Sequence, residues 1–131
     1  MKMLILEDDY ASRLVLQRML LEYGEVHVAV NGKEALQMFI TAQNAAAPYE
    51  VIFLDLMVPE MSGQTVLREM RSLEQQKGIP KETAARILMI TALGDRESVV
   101  SAIKHGCDSY LVKPLNQEQL REQLKKFGKI T

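Results

Sequence analysis

The stretch EVIFLDLMVPEMSG, residues 50–63, decides the fold of this chain. Residues 51–54 form an apolar run rich in β-branched and aromatic side chains, which is typical of a strand buried on both faces. Asp55 follows this run directly, and Pro59 and Gly63 then favour a loop that leads into a helix. Because open α/β sheets place their chemistry at the carboxyl ends of strands, Asp55 is the first candidate functional residue.

Four further apolar runs predict four further strands. They lie at residues 3–6, 26–30, 87–90 and 109–112. Apolar residues at helical spacing predict five helices, one after each strand. These lie at residues 10–23, 33–44, 64–74, 95–105 and 117–127. Strict alternation of strands and helices predicts a parallel sheet with helices on both faces.

The last two helices carry more detailed expectations. Asp95 and Asn116 are expected to cap their amino-terminal ends, because short polar side chains accept hydrogen bonds from the first free amides of a helix. In the fourth helix, Val99, Val100 and Ile103 are expected to face the core, since they recur at helical spacing.

Length and composition indicate one ordinary globular domain. The chain has 131 residues, of which 47% are hydrophobic and 25% charged, so we expect a single domain over residues 1–131. Residues 75–85 are then a surface loop and not a domain linker. The net charge of −1 provides no general attraction to nucleic acid or to a membrane surface. The single Cys107 suits the reducing cytoplasm, and no apolar run approaches the ~20 residues that span a bilayer.

Charged or hydroxyl-bearing residues follow directly after four of the five predicted strands. They are Glu7, Asp8 and Asp9 after the first, Asp55 after the third, Thr91 after the fourth and Lys113 after the fifth. The carboxyl ends of parallel strands share one edge, so we expect these side chains to converge. A cluster of carboxylates without His or Cys favours Mg²⁺. A nucleophilic carboxylate, a metal ion, an ammonium and a hydroxyl are together the parts that take up a phosphoryl group.

Five motifs at the strand ends connect the chain to a known family. In order they are Glu7-Asp8-Asp9, residues 55–63, Thr91-Ala92, Tyr110 and Lys113-Pro114. With these motifs the chain resembles, over essentially its whole length, the receiver domain of bacterial two-component response regulators, in particular stand-alone receivers of the chemotaxis type. The resemblance implies a flavodoxin-like (βα)5 three-layer sandwich with strand order 2-1-3-4-5. It also implies phosphorylation of Asp55 by a sensor histidine kinase, a phosphotransfer protein or a small donor such as acetyl phosphate.

The resemblance also assigns the ligands of Mg²⁺. These are Asp8, Asp55 and the backbone carbonyl of Met57, with Glu7 acting through water. In the family a basic or polar helix residue often lies five positions after the second acid, and Arg13 lies five positions after Asp8. Glu7 and Asp8 are therefore taken as the acid pair, and Asp9 becomes the first residue of the following loop and the alternative ligand.

A conformational switch is the third implication of the resemblance. Thr91 is expected to move and bond the phosphoryl group, while Tyr110 rotates inward into the vacated space and the small Ala92 leaves the group accessible. Met57 and Leu93 each lie two positions beyond a site residue. Apolar side chains at these positions cannot orient an attacking water, so we predict slow self-dephosphorylation.

The expected output is contact with another protein. Because the sequence ends at Thr131, we expect no DNA-binding or catalytic output domain. A downstream protein is expected to bind the face from the fourth to the fifth helix, near Tyr110. The chain is expected to be a monomer or a weak phosphorylation-dependent dimer, and to catalyse only its own phosphorylation and dephosphorylation.

Two alternative functions use related folds. A phosphatase of the haloacid-dehalogenase type needs an Asp-x-Asp pair after the first strand and a cap domain, whereas the triplet here begins with Glu7. A flavodoxin-like FMN carrier needs a phosphate loop rich in Gly, Ser and Thr at that point, where three acids would repel phosphate. Both alternatives stay open until phosphoryl uptake is measured.

Overall fold

The computed structural model describes residues 1–58 and 60–131, so the predicted part of Pro59 in shaping a loop lies outside the described residues. The described chain alternates strands and α-helices, with one short 3-10 helix after the first α-helix. The strands are β1 (Lys2–Leu6), β2 (Glu25–Ala29), β3 (Val51–Asp55), β4 (Arg86–Thr91) and β5 (Ser109–Val112). The helices are α1 (Tyr10–Leu20), α2 (Gly32–Asn44), α3 (Gly63–Gln76), α4 (Arg96–Lys104) and α5 (Gln117–Lys126).

The strands form one parallel sheet in the order β2-β1-β3-β4-β5, which confirms the predicted flavodoxin-like fold. Strands β1, β3 and β4 are almost wholly buried because helices cover both faces. Helices α2, α3 and α4 contribute to the core on one face, and α1 and α5 contribute to the core on the other. The chain therefore changes faces between β1 and β3, and a crevice is expected at the carboxyl ends of these two strands.

Each α-helix begins at a side chain that accepts a hydrogen bond from the backbone amide three residues further on. These capping residues are Asp9, Asn31, Ser62, Asp95 and Asn116. The two predicted caps, Asp95 and Asn116, are thus confirmed, and such caps typically contribute about 1 kcal/mol each. No helix in the described ranges is long and apolar enough to cross a bilayer.

Two helix ends differ from the sequence prediction by more than one residue. Helix α1 ends at Leu20, and the last turn predicted for it is the 3-10 helix Leu21–Tyr23. Helix α3 continues to Gln76, two residues into the segment predicted as the loop 75–85. Apolar periodicity locates the buried face of a helix, whereas its last turn depends on the hydrogen bonds made there.

The prediction that Val100 and Ile103 of α4 face the core was wrong. Both side chains are more than half exposed, at 64% and 55%. The buried residue is Ala102, with Val99 half-buried beside the same face. The helix has two apolar pairs at a spacing of three residues, Val99 with Ala102 and Val100 with Ile103. Periodicity cannot choose between two such pairs on adjacent faces.

Candidate functional site

The carboxyl ends of β1, β3 and β5 bring three predicted site residues into contact. Asp55 is the last residue of β3 and is buried, and its Oδ2 lies 3.0 Å from Nζ of Lys113, which follows β5. The same ammonium lies 3.2 Å from Oε1 of Glu7, which follows β1 and is also buried. Lys113 itself is only partly buried. One ammonium therefore joins two buried carboxylates at a place that solvent reaches.

Asp8 completes an acidic cluster with these carboxylates. Glu7, Asp8 and Asp55 can each present one oxygen within 4.8 Å of the other two. Asp8 is exposed, whereas Glu7 and Asp55 are buried, so the cluster opens to solvent on the side of Asp8. An all-oxygen set of this kind fits Mg²⁺, which binds through one or two carboxylates and keeps some of its waters.

The pKa values of the cluster reflect the crowding of its charges. Burial, then the hydrogen bond and the charge of Asp55, raise the pKa of Glu7 to about 7, although Lys113 acts in the opposite direction. Burial lowers the pKa of Lys113, but the hydrogen bond with Asp55 and the charges of both carboxylates outweigh it and raise the pKa. Lys113 is therefore an ammonium at neutral pH. A divalent cation would relieve the same repulsion that a proton on Glu7 relieves.

Asp9 lies outside the acidic cluster and has a structural role. Its Oδ2 accepts a hydrogen bond from the amide of Ser12 at 2.9 Å and caps α1. This bond is the main reason that its pKa is lowered. Arg13, used to choose between the acids, donates to the carbonyl of Glu7 at 3.1 Å and to that of Asp8 at 3.5 Å. The geometry favours Asp8 over Asp9 as a metal ligand, and the ligand set itself stays a prediction.

Two hydrogen bonds, one from the backbone and one from a side chain, fix the orientation of the Asp55 carboxylate. The amide of Met57 donates to Oδ1 at 2.9 Å, while Lys113 occupies Oδ2. The Met57 side chain points away from the core and is 75% exposed. Gly63 lies against the strand end so closely that a Cβ atom there would overlap the carbonyl oxygen of Asp55. The first turn of α3 is therefore packed directly on the backbone of the candidate acceptor.

The predicted switch residues Thr91, Ala92 and Tyr110 form no hydrogen bond with Asp55. Thr91 is buried at the end of β4, and its Oγ1 donates to the carbonyl of Ala92 at 3.4 Å. Ala92 is exposed, and Tyr110 on β5 is 43% exposed. All three line a cleft of about 450 Å³ between α4 and β5. The inward rotation of Tyr110 stays a prediction.

An ion-pair network between α3 and the loop before β5 was missed by sequence reasoning. Arg71 of α3 donates to the carboxylates of Glu74 and Asp108, each at 2.7 Å. It also donates to the carbonyls of Gly106 and Ala85, each at 2.8 Å. The only local signal was the spacing of three residues between Arg71 and Glu74. Asp108 is 37 residues further along the chain, so no periodic pattern connects it with Arg71.

Comparison with known proteins identifies the relatives of this chain. The family model for the response regulator receiver domain matches residues 3–125. The chemotaxis protein CheY1 of Helicobacter pylori is 33% identical over 126 residues, which cover 95% of this chain and 94% of that protein. The hybrid signal transduction histidine kinase L of Dictyostelium discoideum is 30% identical over 129 residues, which cover 98% of this chain and only 7% of the kinase.

A solved structure shows the same fold in a complex. The receiver domain of the Saccharomyces cerevisiae response regulator Ssk1 was crystallised with the histidine phosphotransfer protein Ypd1. The superposition gives a TM-score of 0.83 at 26% sequence identity and covers 98% of this chain and 88% of that one.

Proposed function

The chain belongs to the response regulator receiver family of two-component signalling, and we propose that Asp55 is its phosphoryl acceptor. The phosphoryl donor is a sensor histidine kinase or a phosphotransfer protein. The Ssk1 receiver, which shares the fold, was crystallised with a protein of the second kind. We also propose that residues 1–131 form one receiver domain and that the exchange takes place in the cytoplasm, where the single Cys107 stays reduced.

The site residues have distinct parts in the transfer. A carboxylate oxygen of Asp55 attacks phosphorus, and the bond from phosphorus to the donor nitrogen or oxygen breaks. Lys113, 3.0 Å from Oδ2, lies where it can neutralise charge on the phosphoryl oxygens. Mg²⁺ would be held by Asp8, Asp55 and the carbonyl of Met57, with Glu7 acting through water. When bound, the ion supplies further positive charge to the phosphoryl oxygens.

The observation that carries this proposal is the Asp55 carboxylate, which contacts Lys113 and belongs to a three-carboxylate cluster. The test is incubation of the chain with acetyl phosphate and Mg²⁺, followed by intact-mass spectrometry. We expect a mass gain of one phosphoryl group per chain, and no gain when EDTA is present. Release of many phosphate equivalents per chain would instead indicate a phosphatase. A yellow protein with flavin absorbance would indicate an FMN carrier.

The effect of Mg²⁺ on the melting temperature should distinguish Asp8 from Asp9. Asp8→Asn should abolish the rise in melting temperature that Mg²⁺ produces, because it removes a ligand from the cluster. Asp9→Asn is the matched control, since Asn caps a helix about as well as Asp and Asp9 lies outside the cluster. Differential scanning fluorimetry across a Mg²⁺ titration measures both. Loss of the shift in Asp9→Asn together with its retention in Asp8→Asn would reverse the assignment.

Signal output is proposed to follow from Thr91 and Tyr110. Movement of Thr91 toward a phosphoryl group on Asp55 vacates space beside β4, and Tyr110 then turns into the cleft between α4 and β5. Exposed Val100 and Ile103 lie on the same cleft and give a downstream protein an apolar contact surface. The oligomeric state proposed for the chain is a monomer or a weak dimer that forms on phosphorylation.

Self-dephosphorylation is expected to be slow. Met57 and Leu93 are the exposed side chains two positions beyond Asp55 and Thr91, at 75% and 86% exposure, and neither can hydrogen-bond an attacking water. Met57→Asn should accelerate the decay of the phosphorylated form at least several-fold, because the amide can orient that water. The measurement is the loss of the phosphorylated mass after removal of acetyl phosphate. Fast decay in the wild type that Met57→Asn leaves unchanged would contradict the prediction.

A further inference from the structure

A side-chain amide connects the first turn of α3 with the first turn of α4. Nε2 of Gln64 donates to the carbonyl oxygen of Ser98 at 2.6 Å, and this contact is partly buried. The two residues are 34 positions apart in the chain. The bond therefore joins a helix that follows the Asp55 strand to a helix that follows the Thr91 strand.

One end of this connection is fixed to the acceptor residue. Gln64 follows Gly63, which lies in contact with the backbone of Asp55 and leaves no room for a Cβ atom. The α3 cap at Ser62, which accepts from the amide of Thr65, holds the same turn. Gln64 thus projects from a turn that packs directly on the backbone of Asp55.

The other end belongs to a helix with little support. Ala102 is the one buried residue of α4, and the cleft of about 450 Å³ separates the helix from β5. The amide of Ser98 is held by the capping side chain of Asp95 at the long distance of 3.4 Å. On the side of α3, by contrast, Gln64 holds the carbonyl of Ser98 at 2.6 Å. Gln64 therefore supplies a hydrogen bond from α3 to the first turn of α4, a turn that also borders the cleft lined by Tyr110.

The Gln64 amide is poorly suited to a role that only stabilises the fold. Its Oε1 is buried, and no group in the described part of the chain donates a hydrogen bond to it. Leaving a buried acceptor unpaired costs free energy that an apolar side chain of similar size would not cost. A polar side chain at this place makes physical sense if it specifies the position of α4 rather than the stability of the fold.

We infer that Gln64 is a positioning residue that holds α4 in its unphosphorylated position. The inference rests on the proposed phosphorylation of Asp55. Thr91 and the first turn of α4 are separated by only residues 92–95, so movement of Thr91 toward the acceptor pulls on that turn. The hydrogen bond between Gln64 and Ser98 opposes this pull. Its loss therefore favours the phosphorylated arrangement, since a ligand binds more tightly when a competing conformation is weakened.

The test compares Gln64→Met with Gln76→Met. Met retains the length of Gln but donates no hydrogen bond. Gln76 lies on the same helix, and its side-chain amide donates a hydrogen bond to Ser72 at 3.4 Å. Because Ser72 also belongs to α3, this bond does not connect α3 with another element. In Gln64→Met, amide hydrogen exchange at the start of α4 should accelerate without beryllofluoride. The affinity for beryllofluoride with Mg²⁺, measured by calorimetry, should rise about three- to tenfold, the range set by one net hydrogen bond. Gln76→Met should change neither quantity.

Each other outcome has a definite meaning. Unchanged exchange in α4 would show that the bond does not hold the helix, and the inference would be wrong. Faster exchange with unchanged beryllofluoride affinity would show a structural contact uncoupled from the site, which also overturns it. Failure of the wild type to bind beryllofluoride would overturn the proposed function itself, and the exchange data would then report on helix packing alone.

Discussion

Replacement of Asp55 by Asn should abolish phosphoryl uptake from acetyl phosphate. The amide is a far weaker nucleophile than the carboxylate, and it also removes an oxygen ligand from the acidic cluster. No mass gain is expected at any time point at which the wild type is fully labelled. The substitution retains the shape of the side chain and removes one of two buried carboxylates that repel each other, so the native circular dichroism spectrum should persist.

The matched control is Asp95→Asn at the same edge of the sheet. Asp95 caps α4 through its side chain, and Asn provides an equivalent cap, so its labelling should equal that of the wild type. Residual labelling of Asp55→Asn that is stable to hydroxylamine would point to a hydroxyl acceptor, because hydroxylamine cleaves acyl phosphates. Full hydroxylamine-sensitive labelling of the variant would place the acceptor on another carboxylate and contradict the proposal.

Replacement of Arg71 by Met should lower the stability of the fold more than the other single replacements. Arg71 neutralises Glu74, whose side chain is 5% exposed, and Asp108, whose side chain is 18% exposed, and it satisfies two backbone carbonyls. Its removal takes the cationic partner from the buried Glu74, which typically costs about 3–5 kcal/mol, whereas Asp108 keeps Arg86 at 3.3 Å. Chemical denaturation with urea should show a lower midpoint at an unchanged m-value.

Arg68→Met is the control for this loss. Arg68 is exposed on the same helix, so its replacement should change the free energy of unfolding by less than about 0.5 kcal/mol. The double replacement Arg71→Met with Glu74→Leu should recover only part of the lost stability, because it removes the buried charge at position 74 but also removes the acceptor of the Ala85 amide at 2.8 Å. Equal midpoints for the Arg71 and Arg68 variants would show that the network contributes nothing to folding.

Most residues of the candidate site could be predicted from the amino-acid sequence, because the relevant signals are local. A short apolar run followed at once by a charged residue marks the end of a strand, and this held for Glu7, Asp55 and Lys113, although the strand before Lys113 is only partly buried. Parallel pairing then brings such strand ends to one edge whatever the intervening sequence. The strand order could be predicted only through the resemblance to a family, since apolar periodicity contains no information on neighbours in a sheet.

Contacts between distant segments were beyond sequence reasoning. The sequence favoured Asp8 over Asp9 only through the position of Arg13 and a family resemblance, whereas the approach of Asp8 to the distant Asp55 is visible only in the folded chain. The outward position of Val100 likewise depends on which face of α4 meets α3 and the sheet.

By itself, therefore, the sequence determined the alternation of strands and helices and the chemical character of the edge that carries Asp55. The alternation of strands and helices depends on residues that are neighbours along the chain, so the order of the residues specifies it. The tertiary structure alone decided which oxygens lie together, how Arg71 reaches Asp108 and how Gln64 reaches Ser98. These contacts join residues more than 30 positions apart, and their distances depend on the packing of whole helices against the sheet.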